Sequence, residues 1–269
     1  GPILRNRFTD MQTVLFHETI FGPIHSRRLG TSLGVNLTPD DGKICSFDCL
    51  YCEAGFNAQG PGTTGFAPRA EVARMLEEKL RGMKERGEKL DVITFSGNGE
   101  PTLHPDFPAV AGDVMALRDR FFPEAKVSVL TNSTRLADPA VAEVLKRVDN
   151  NILKLDSAID STIRVLDRPN APGFTADKVI GQLSQFAGTG IIQTMMLRGE
   201  WEGHTVDNTT PEEVAALVEA YRAISPREIM LYSIDRPTPA RTLEKIPPEE
   251  LAEIGRRIEA ETGIPVQVN

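Results

Sequence analysis

The chain has 269 residues, 40% of them hydrophobic and 25% charged, and its formal net charge is −8. This length suits one barrel-type domain, and the apolar runs are too short to cross a lipid bilayer. The negative charge disfavours nucleic acid as a partner, because proteins gain affinity for phosphates by displacing counterions with Lys and Arg. The first residues also lack the apolar core of a signal peptide, so we expect a cytoplasmic protein without membrane contact.

The first 30 residues are predicted to form an N-terminal extension that packs on a single domain over residues 31–269. Within this mostly irregular extension, residues 13–21 are predicted to form a short strand. The first strand of the main sheet is predicted over residues 32–37, before the turn-forming residues 38–42. The segment after this turn therefore lies at the C-terminal end of a strand, where barrel enzymes build their active sites.

Strands and helices alternate along the rest of the chain. The predicted helices cover residues 68–86, 106–120, 139–147, 175–187, 210–223 and 247–262, and the predicted strands cover residues 91–95, 126–130, 151–155, 191–197 and 228–231. Such alternation is typical of a parallel sheet covered by helices. Six repeats rather than eight predict an α/β fold of the partial (β/α)6 TIM-like barrel type. All strands then end on the same face.

The only three cysteines of the chain are Cys45, Cys49 and Cys52. Thiolates favour Zn, Cu(I) or an iron–sulfur cluster. A structural zinc ion normally takes four protein ligands, and no histidine lies at zinc-finger spacing from these cysteines. A disulfide is disfavoured by the odd number of cysteines. A 4Fe–4S cluster held by three cysteines keeps one iron open for another ligand, so three cysteines without a fourth protein ligand are compatible with such a cluster.

A second motif, Ser96-Gly97-Asn98-Gly99-Glu100, follows the second predicted strand of the barrel. Glycines allow the backbone to approach a ligand closely, and Glu100 can accept hydrogen bonds from a cationic amine. On its own the motif is equally typical of an ordinary turn. Its position one strand after the cysteines favours ligand binding.

Further polar residues follow the later strands, namely Asn132, Asp156, Ser157, Arg198 and Arg236. Asn132 is interpreted either as a ligand contact or as a turn-capping residue. Asp156 needs a partner at the end of a buried strand. The two arginines can clamp an anionic substrate or pair with nearby acids. Arg236, followed by a proline-rich and stiff loop, is the stronger candidate for a catalytic substrate contact.

The segment Cys45–Cys52, with Tyr51 directly before the third cysteine, and the motif that ends at Glu100 resemble the radical SAM superfamily. This resemblance implies a 4Fe–4S cluster on the three cysteines and S-adenosylmethionine (SAM) on the open iron, with Tyr51 packed beside them. It also implies that the segment from Ser96 through Gly97, Asn98 and Gly99 to Glu100 binds the SAM amino group, and that Asp156 and Ser157 meet its ribose and carboxylate. Asn132, at the neighbouring strand end, is predicted to meet the ribose by its position. Asn98 departs from the usual glycine-glycine-glutamate pattern.

The reaction implied by the resemblance is reductive cleavage of SAM to a 5′-deoxyadenosyl radical, which abstracts hydrogen from a substrate. A one-electron donor such as flavodoxin or ferredoxin is the implied partner. Residues 22–30, 32–34 and 236–239 are also similar to the wyosine-synthase-related branch, whose best-known members rearrange a tRNA guanine. Those members carry a second cluster on extra cysteines, which this chain lacks. They also use a lysine upstream of the cluster, and Lys43 is the only lysine before the cysteines in this chain.

Three functions follow from these features. The favoured one is a radical SAM enzyme acting on a small molecule or a protein side chain, in keeping with the acidic composition. The second is modification of a tRNA base, supported by the family likeness and by Arg5, Arg7, Arg27 and Arg28 near the N-terminus. The third is a non-enzymatic metal-binding protein that keeps its cysteines for structure.

Overall fold

The structure is a computed structural model that describes residues 3–5, 14–27, 29–235, 238, 240 and 242–269. Of residues 3–5, 14 and 15, only the strands that they form are described. Arg236, the predicted catalytic residue, and Arg28 lie outside the described residues. Among the residues that are described, no helix combines the length and the apolar character needed to cross a membrane.

The chain folds into strands and helices whose bounds are as follows. The strands are β1 (Ile3–Arg5), β2 (Val14–Phe16), β3 (Ile20–Ser26), β4 (Gly30–Val35), β5 (Val92–Phe95), β6 (Lys126–Thr131), β7 (Asn150–Lys154), β8 (Ile191–Met195), β9 (Leu197–Trp201), β10 (His204–Asp207), β11 (Glu228–Tyr232), β12 (Leu243–Lys245) and β13 (Val266–Val268). The helices are α1 (Arg69–Glu85), α2 (Phe107–Phe121), α3 (Pro139–Arg147), α4 (Asp160–Leu166), α5 (Ala176–Leu183), α6 (Pro211–Ile224) and α7 (Pro248–Thr262).

The main sheet contains eight strands in the order β13-β11-β8-β7-β6-β5-β4-β3. All neighbours in this sheet run parallel except β3 and β4, which are antiparallel. The six predicted barrel strands correspond to β4, β5, β6, β7, β8 and β11. This sheet and its helices confirm the predicted partial barrel, and the ends of the six strands meet on one face.

The helices cover the sheet because each has an apolar stripe at helical spacing. In α1 the buried residues are Val72, Leu76, Leu80 and Met83, each at most 1% exposed. They pack with residues of the sheet such as Ile93 in one continuous core. Burial of each large apolar side chain stabilises the fold by about 1.5–3 kcal/mol. The predicted helix over residues 68–86 is therefore confirmed, and its methionine at position 83 is a core residue.

The predicted strict alternation is wrong in two regions. Between β7 and α5 the chain forms the short helix α4, and after β8 it turns into a hairpin, β9–β10, which pairs with β12 in a separate antiparallel sheet. The predicted strand over residues 191–197 consequently ends at Met195. The hairpin escapes sequence analysis because Gly199 interrupts β9 and β12 lies far along the chain.

The predicted strand over residues 13–21 is also incorrect in its bounds. Two strands occupy this region, β2 and β3, and β3 continues to Ser26 as the antiparallel edge of the main sheet. Because β3 pairs with β4, the main sheet contains strands from both sides of the predicted boundary between residues 30 and 31. The division into an extension and a domain stays a prediction.

Candidate active site

A cavity of about 390 Å³ opens at the C-terminal ends of the barrel strands. It lies between the cysteine loop (residues 44–56), the last residues of β7 and β8, and the segments at the ends of β5, β6 and β11. The predicted site residues that line it are Cys45, Cys49, Tyr51, Cys52, Ser96, Gly97, Gly99, Glu100 and Asn132. Two motifs that are more than 40 residues apart in sequence thus face one space.

The cysteine loop and the segment after β5 are joined through their backbones. The Ile44 N–H donates to the Asn98 carbonyl oxygen (3.2 Å), and the Glu100 N–H donates to the Ile44 carbonyl oxygen (3.0 Å). A Cβ at Gly99 would lie 1.8 Å from the Ile44 carbonyl oxygen. Gly99 is therefore required because another part of the protein, rather than a ligand, approaches its Cα.

Asn98 is fully buried and does not line the cavity. Its side-chain Nδ2 donates to the carbonyl oxygens of Phe16 (2.7 Å) and Pro39 (2.9 Å), and its Oδ1 accepts from the Phe16 N–H (2.7 Å). The Asn98 N–H donates to the Thr38 hydroxyl (2.9 Å). The departure from glycine at this position thus serves to hold β2 and the turn after β4.

Glu100 is 2% exposed and its carboxylate accepts four hydrogen bonds. Its Oε1 accepts from the Asn132 N–H (2.7 Å), and its Oε2 accepts from the Thr131 hydroxyl (2.6 Å) and from the N–H (3.2 Å) and hydroxyl of Thr102. Burial raises the pKa of Glu100, and these hydrogen bonds oppose the rise. Oε1 receives one donor from the described residues, against three at Oε2, and a carboxylate oxygen accepts more than one hydrogen bond, so Oε1 can accept from an amine.

Asn132 connects Glu100 with the cysteine loop. Its side-chain Nδ2 donates to the Ser46 hydroxyl (2.9 Å) and lies 3.6 Å from the Cys45 Sγ, while its Oδ1 accepts from the Thr134 N–H (3.1 Å). The contacts of Asn132 therefore agree with both interpretations, as a turn residue and as a site residue. It fixes the turn after β6 and touches one thiol.

Asp156 is 1% exposed and does not line the cavity. It accepts hydrogen bonds from the Tyr51 hydroxyl (2.5 Å) and the Met195 N–H (2.9 Å), and the Lys154 Nζ lies 3.6 Å from its Oδ2. Lys154 also donates to the Tyr51 hydroxyl and lies 4.7 Å from the centre of the Tyr51 ring. Asp156 and Lys154 together fix Tyr51 against the cavity.

Lys154 was not predicted as a site residue, although it lines the cavity. Burial acts to lower the pKa of Lys154, but the negative charges of Asp156 and of further groups around it together outweigh burial, and the pKa rises well above its ordinary value. The ammonium group is thus a stable cation beside Tyr51. A lysine at the end of a strand, two positions before a buried aspartate, is the sequence signal that indicates this pair.

Ser157 and Arg198 make contacts away from the cavity. The Ser157 hydroxyl donates to Glu213 on α6 (2.9 Å) and accepts from the Ile159 N–H (3.0 Å). Arg198 donates to Glu250 and to the Thr209 hydroxyl (3.0 Å). Of the two interpretations of Arg198, the structure favours pairing with acids. Contact of SAM with Ser157 stays a prediction, as does the catalytic role of Arg236.

Lys43 is a second lysine of the site that the sequence analysis did not assign. It lines the cavity, its side chain is 2% exposed, and its Nζ donates to the Gly55 carbonyl oxygen (2.7 Å) and lies 3.8 Å from Asp48 Oδ1. Burial acts to lower its pKa, but the thiols of Cys52 and Cys45 lead the groups that raise it. Lys43 therefore places a positive charge beside the cysteines.

The three thiols fit an iron–sulfur cluster better than a single ion. Burial raises the pKa of Cys45 to about 12 and that of Cys49 well above its ordinary value, so thiolates here need compensating positive charge, which bound iron supplies. Within the described part of the chain, no three His, Cys, Asp or Glu side chains are grouped as ligands of one metal ion. A four-iron cube presents its irons at separate corners, and its thiolates do not have to meet at one point.

Comparison with known proteins decides the family. The sequence model of the Radical SAM superfamily matches residues 41–202, more than half of the chain. The chain belongs to the radical SAM superfamily. Proteins of this superfamily bind a 4Fe–4S cluster and SAM, so both predicted cofactors are confirmed.

Two relatives of this radical SAM protein illustrate its similarity to known sequences. It is 27% identical over 271 residues to a protein of Brachyspira hyodysenteriae named GTPase Obg, a match that covers 99% of this chain and 37% of that protein. It is 31% identical over 227 residues to a UPF0026 protein of Synechocystis, covering 82% of this chain and 77% of the relative. The chain thus spans little more than a third of the first relative.

Solved structures share the fold of this radical SAM protein. A radical SAM methyltransferase from Sphaerobacter thermophilus superposes with a TM-score of 0.64 at 18% identity, covering 99% of this chain and 72% of the other. Streptococcus suis SuiB bound to S-adenosylmethionine superposes with a TM-score of 0.61 at 15% identity, covering 88% of this chain and 50% of the other. At these identities the likeness shows the fold alone.

Proposed function

We propose that this chain is the catalytic part of a radical SAM enzyme that abstracts a hydrogen atom from a small-molecule or protein substrate. The observation that carries the proposal is that Cys45, Cys49, Cys52 and Glu100 line one cavity at the ends of the parallel strands. Three soft ligands and one buried carboxylate thus face the same space. The bound cofactors supply one-electron cleavage of SAM, with methionine and a 5′-deoxyadenosyl radical as products.

The residues of the chain have separate tasks in this proposal. The thiolates of Cys45, Cys49 and Cys52 hold three irons of the cluster, and the Asn132 amide orients Cys45 from outside that ligand set, as groups around metal ligands commonly do. Glu100 Oε1, to which the Asn132 N–H donates, would accept from the amino group of SAM. The carboxylate is already fixed by its other donors, so binding the amine requires little reorganisation.

A second set of residues shapes the cavity where hydrogen is taken. Tyr51, Met195 and Tyr232 line it with large apolar surfaces, which exclude water from a reactive intermediate. Tyr51 keeps its place because its hydroxyl lies between Lys154 and Asp156. The position of Tyr51 in the cavity wall therefore depends on the buried ion pair of Lys154 and Asp156.

Modification of tRNA is the alternative that we rank second. The family likeness supports it, but the net charge of −8 works against binding to a polyanion. Superfamily membership disfavours the third alternative, a non-enzymatic metal-binding protein. The electron donor in our proposal is a small redox protein such as flavodoxin or ferredoxin.

The decisive experiment is anaerobic reconstitution with iron and sulfide, followed by EPR of the reduced protein with and without SAM. We expect a 4Fe–4S signal that changes on addition of SAM, and formation of 5′-deoxyadenosine with a chemical reductant. The Cys49→Ala variant is the control that should lose both. A protein that takes up zinc instead of a cluster, or that forms no 5′-deoxyadenosine, would contradict the proposal. Filter binding to tRNA at about 150 mM salt tests modification of tRNA as the function, because salt at this concentration weakens nonspecific contacts with phosphates.

A further inference from the structure

Residues 166–170, at the end of α4, lie along the cysteine loop and are called here the clasp segment. The Asp48 N–H donates to the Asp167 carbonyl oxygen (2.8 Å), and the Leu50 N–H donates to the Leu166 carbonyl oxygen (3.0 Å). The Asn170 N–H donates to the Ser46 carbonyl oxygen (2.9 Å). The clasp segment therefore contacts the backbone between the first and third cysteines, although it is more than 100 residues away in sequence.

Arg168 makes the side-chain contacts at the centre of this segment. Its Nε donates to the Asp48 carbonyl oxygen (2.8 Å), and its NH2 nitrogen lies 2.9 Å from the Asp48 Oδ2. Asp48 Oδ1 accepts in turn from the Asn57 N–H (2.8 Å). Because Asp48 directly precedes Cys49, the guanidinium group restrains both the main chain and the side chain beside a cluster ligand.

The guanidinium group of Arg168 also stacks on aromatic rings. Its Cζ lies 4.5 Å from the centre of the Phe56 ring and 5.7 Å from that of Trp201, and these two rings are 5.4 Å apart. Phe56 ends the cysteine loop, and Trp201 ends β9. A cation over the face of an aromatic ring is attracted by the negative charge of that face, so these contacts stabilise the position of the guanidinium group. Arg168 thus connects the loop to the β9–β10 hairpin.

The backbone of Arg168 has a positive φ of 45°. This left-handed conformation is unfavourable for a long side chain, and it persists only where the surroundings impose it. Glycine or asparagine adopts it more readily. The presence of arginine here indicates that its side-chain contacts outweigh the backbone cost.

From these contacts, and on the basis of the proposed function, we infer that Arg168 is a positioning residue of the cluster site. It holds the Asp48–Cys49 part of the loop in the shape that presents the thiols to the cluster. Arg168 contacts neither thiols nor the cavity in this role, and it acts through Asp48 and Phe56. Lysine does not replace it fully, because an ammonium group cannot make the forked contact or stack in the same way.

The experiment compares Arg168→Gly, Arg168→Lys and the control Arg164→Gly in the full chain. Arg168→Gly relieves the left-handed backbone while it removes the side chain, and Arg164 is an exposed arginine four residues earlier. We measure iron and sulfide per chain after anaerobic reconstitution, the EPR spectrum with and without SAM, and the fluorescence of Trp201, the single tryptophan. Millimolar guanidinium is added to Arg168→Gly to restore the missing group.

We expect Arg168→Gly to hold several-fold less cluster than the wild type, to show altered Trp201 fluorescence, and to regain cluster with guanidinium. Arg168→Lys should fall between it and the wild type, and Arg164→Gly should retain wild-type cluster content. Wild-type cluster content in folded Arg168→Gly overturns the inference. If Arg168→Gly does not fold, Arg168→Lys decides: unchanged cluster content in that variant overturns it equally. A wild type that binds no cluster contradicts the proposed function instead.

Discussion

The carbonyl oxygen of Ile44 occupies the space that a side chain at Gly99 would need, with a Cβ at that position only 1.8 Å away. This contact joins the segment before Cys45 to the segment that carries Glu100. A side chain at residue 99 would therefore force the two halves of the site apart.

The first prediction concerns this contact. Gly99→Ala should lower the free energy of unfolding by about 1–3 kcal/mol, because an inserted methyl group forces the backbone apart. Denaturant unfolding measures the change, and cluster content after reconstitution should fall with it. Gly112→Ala in α2 is the matched control: a Cβ there meets nothing within 4 Å, and alanine should stabilise the helix by about 0.5–1 kcal/mol. Equal effects of the two variants would contradict the prediction.

The second prediction concerns Glu100. Glu100→Gln should abolish the SAM-dependent change of the EPR spectrum while the cluster is retained, because Glu100 faces SAM in our proposal and does not bind iron. The variant should also lose about 1–3 kcal/mol of unfolding free energy, since the amide group leaves a buried donor unpaired. Glu213→Gln is the control, because Glu213 is buried outside the cavity and pairs with Ser157. That variant should respond to SAM normally.

The third prediction concerns the buried pair of Lys154 and Asp156. Lys154→Met should lower the free energy of unfolding by about 3 kcal/mol, because it leaves the Asp156 carboxylate buried without its cation. The exposed Lys126 provides a comparison, and Lys126→Met should change stability by no more than about 0.5 kcal/mol. Thermal or urea unfolding of both variants checks this. Similar small losses in the two would show that Asp156 does not depend on Lys154.

The fourth prediction is a pH dependence that originates at Asp149. Partial burial acts to raise the pKa of this carboxyl, but the hydrogen bonds from the Val127 N–H (2.8 Å) and Arg118 (2.6 Å) and the charge of Arg118 outweigh it, so the pKa is lowered. A lowered pKa stabilises the fold above the ordinary value for aspartate, about 3.9, and this contribution is lost as the pH falls through the folded pKa.

Asp149→Asn removes that contribution, so it should destabilise the protein most near neutral pH and progressively less below about pH 4. Urea unfolding of the wild type and the variant over a pH series measures the difference. A gap that stays constant from neutral to acid pH would assign the loss to packing rather than to the charge of Asp149.

The architecture was largely predictable because its elements are long and strongly patterned. The stripe of Val72, Leu76 and Leu80 is sufficient to locate α1, and the short apolar run of β5 locates a buried strand. The hairpin β9–β10 and α4 were not predictable in the same way. These elements are short and contain glycine or many polar residues. Their structure depends on contacts with elements that are far away in sequence.

The candidate site was predictable where chemistry follows from spacing, as at the three cysteines. It was less predictable where hydrogen bonds with neighbouring residues determine the direction of a side chain. Asn98 and Ser157 are close in sequence to residues that line the cavity. Their side chains nevertheless form hydrogen bonds with Phe16 and Glu213. Arg168 shows the converse, since only the fold brings it to Asp48.

Asn132 contributes its main-chain N–H to Glu100 and its side-chain amide to the cysteine loop. On the proposed function, one residue thus lies beside the binding positions of both cofactors. In that case, the first cofactor to bind would restrict the motion of this residue. The second would then lose less conformational entropy on binding, so that cluster and SAM would bind cooperatively without any change of shape.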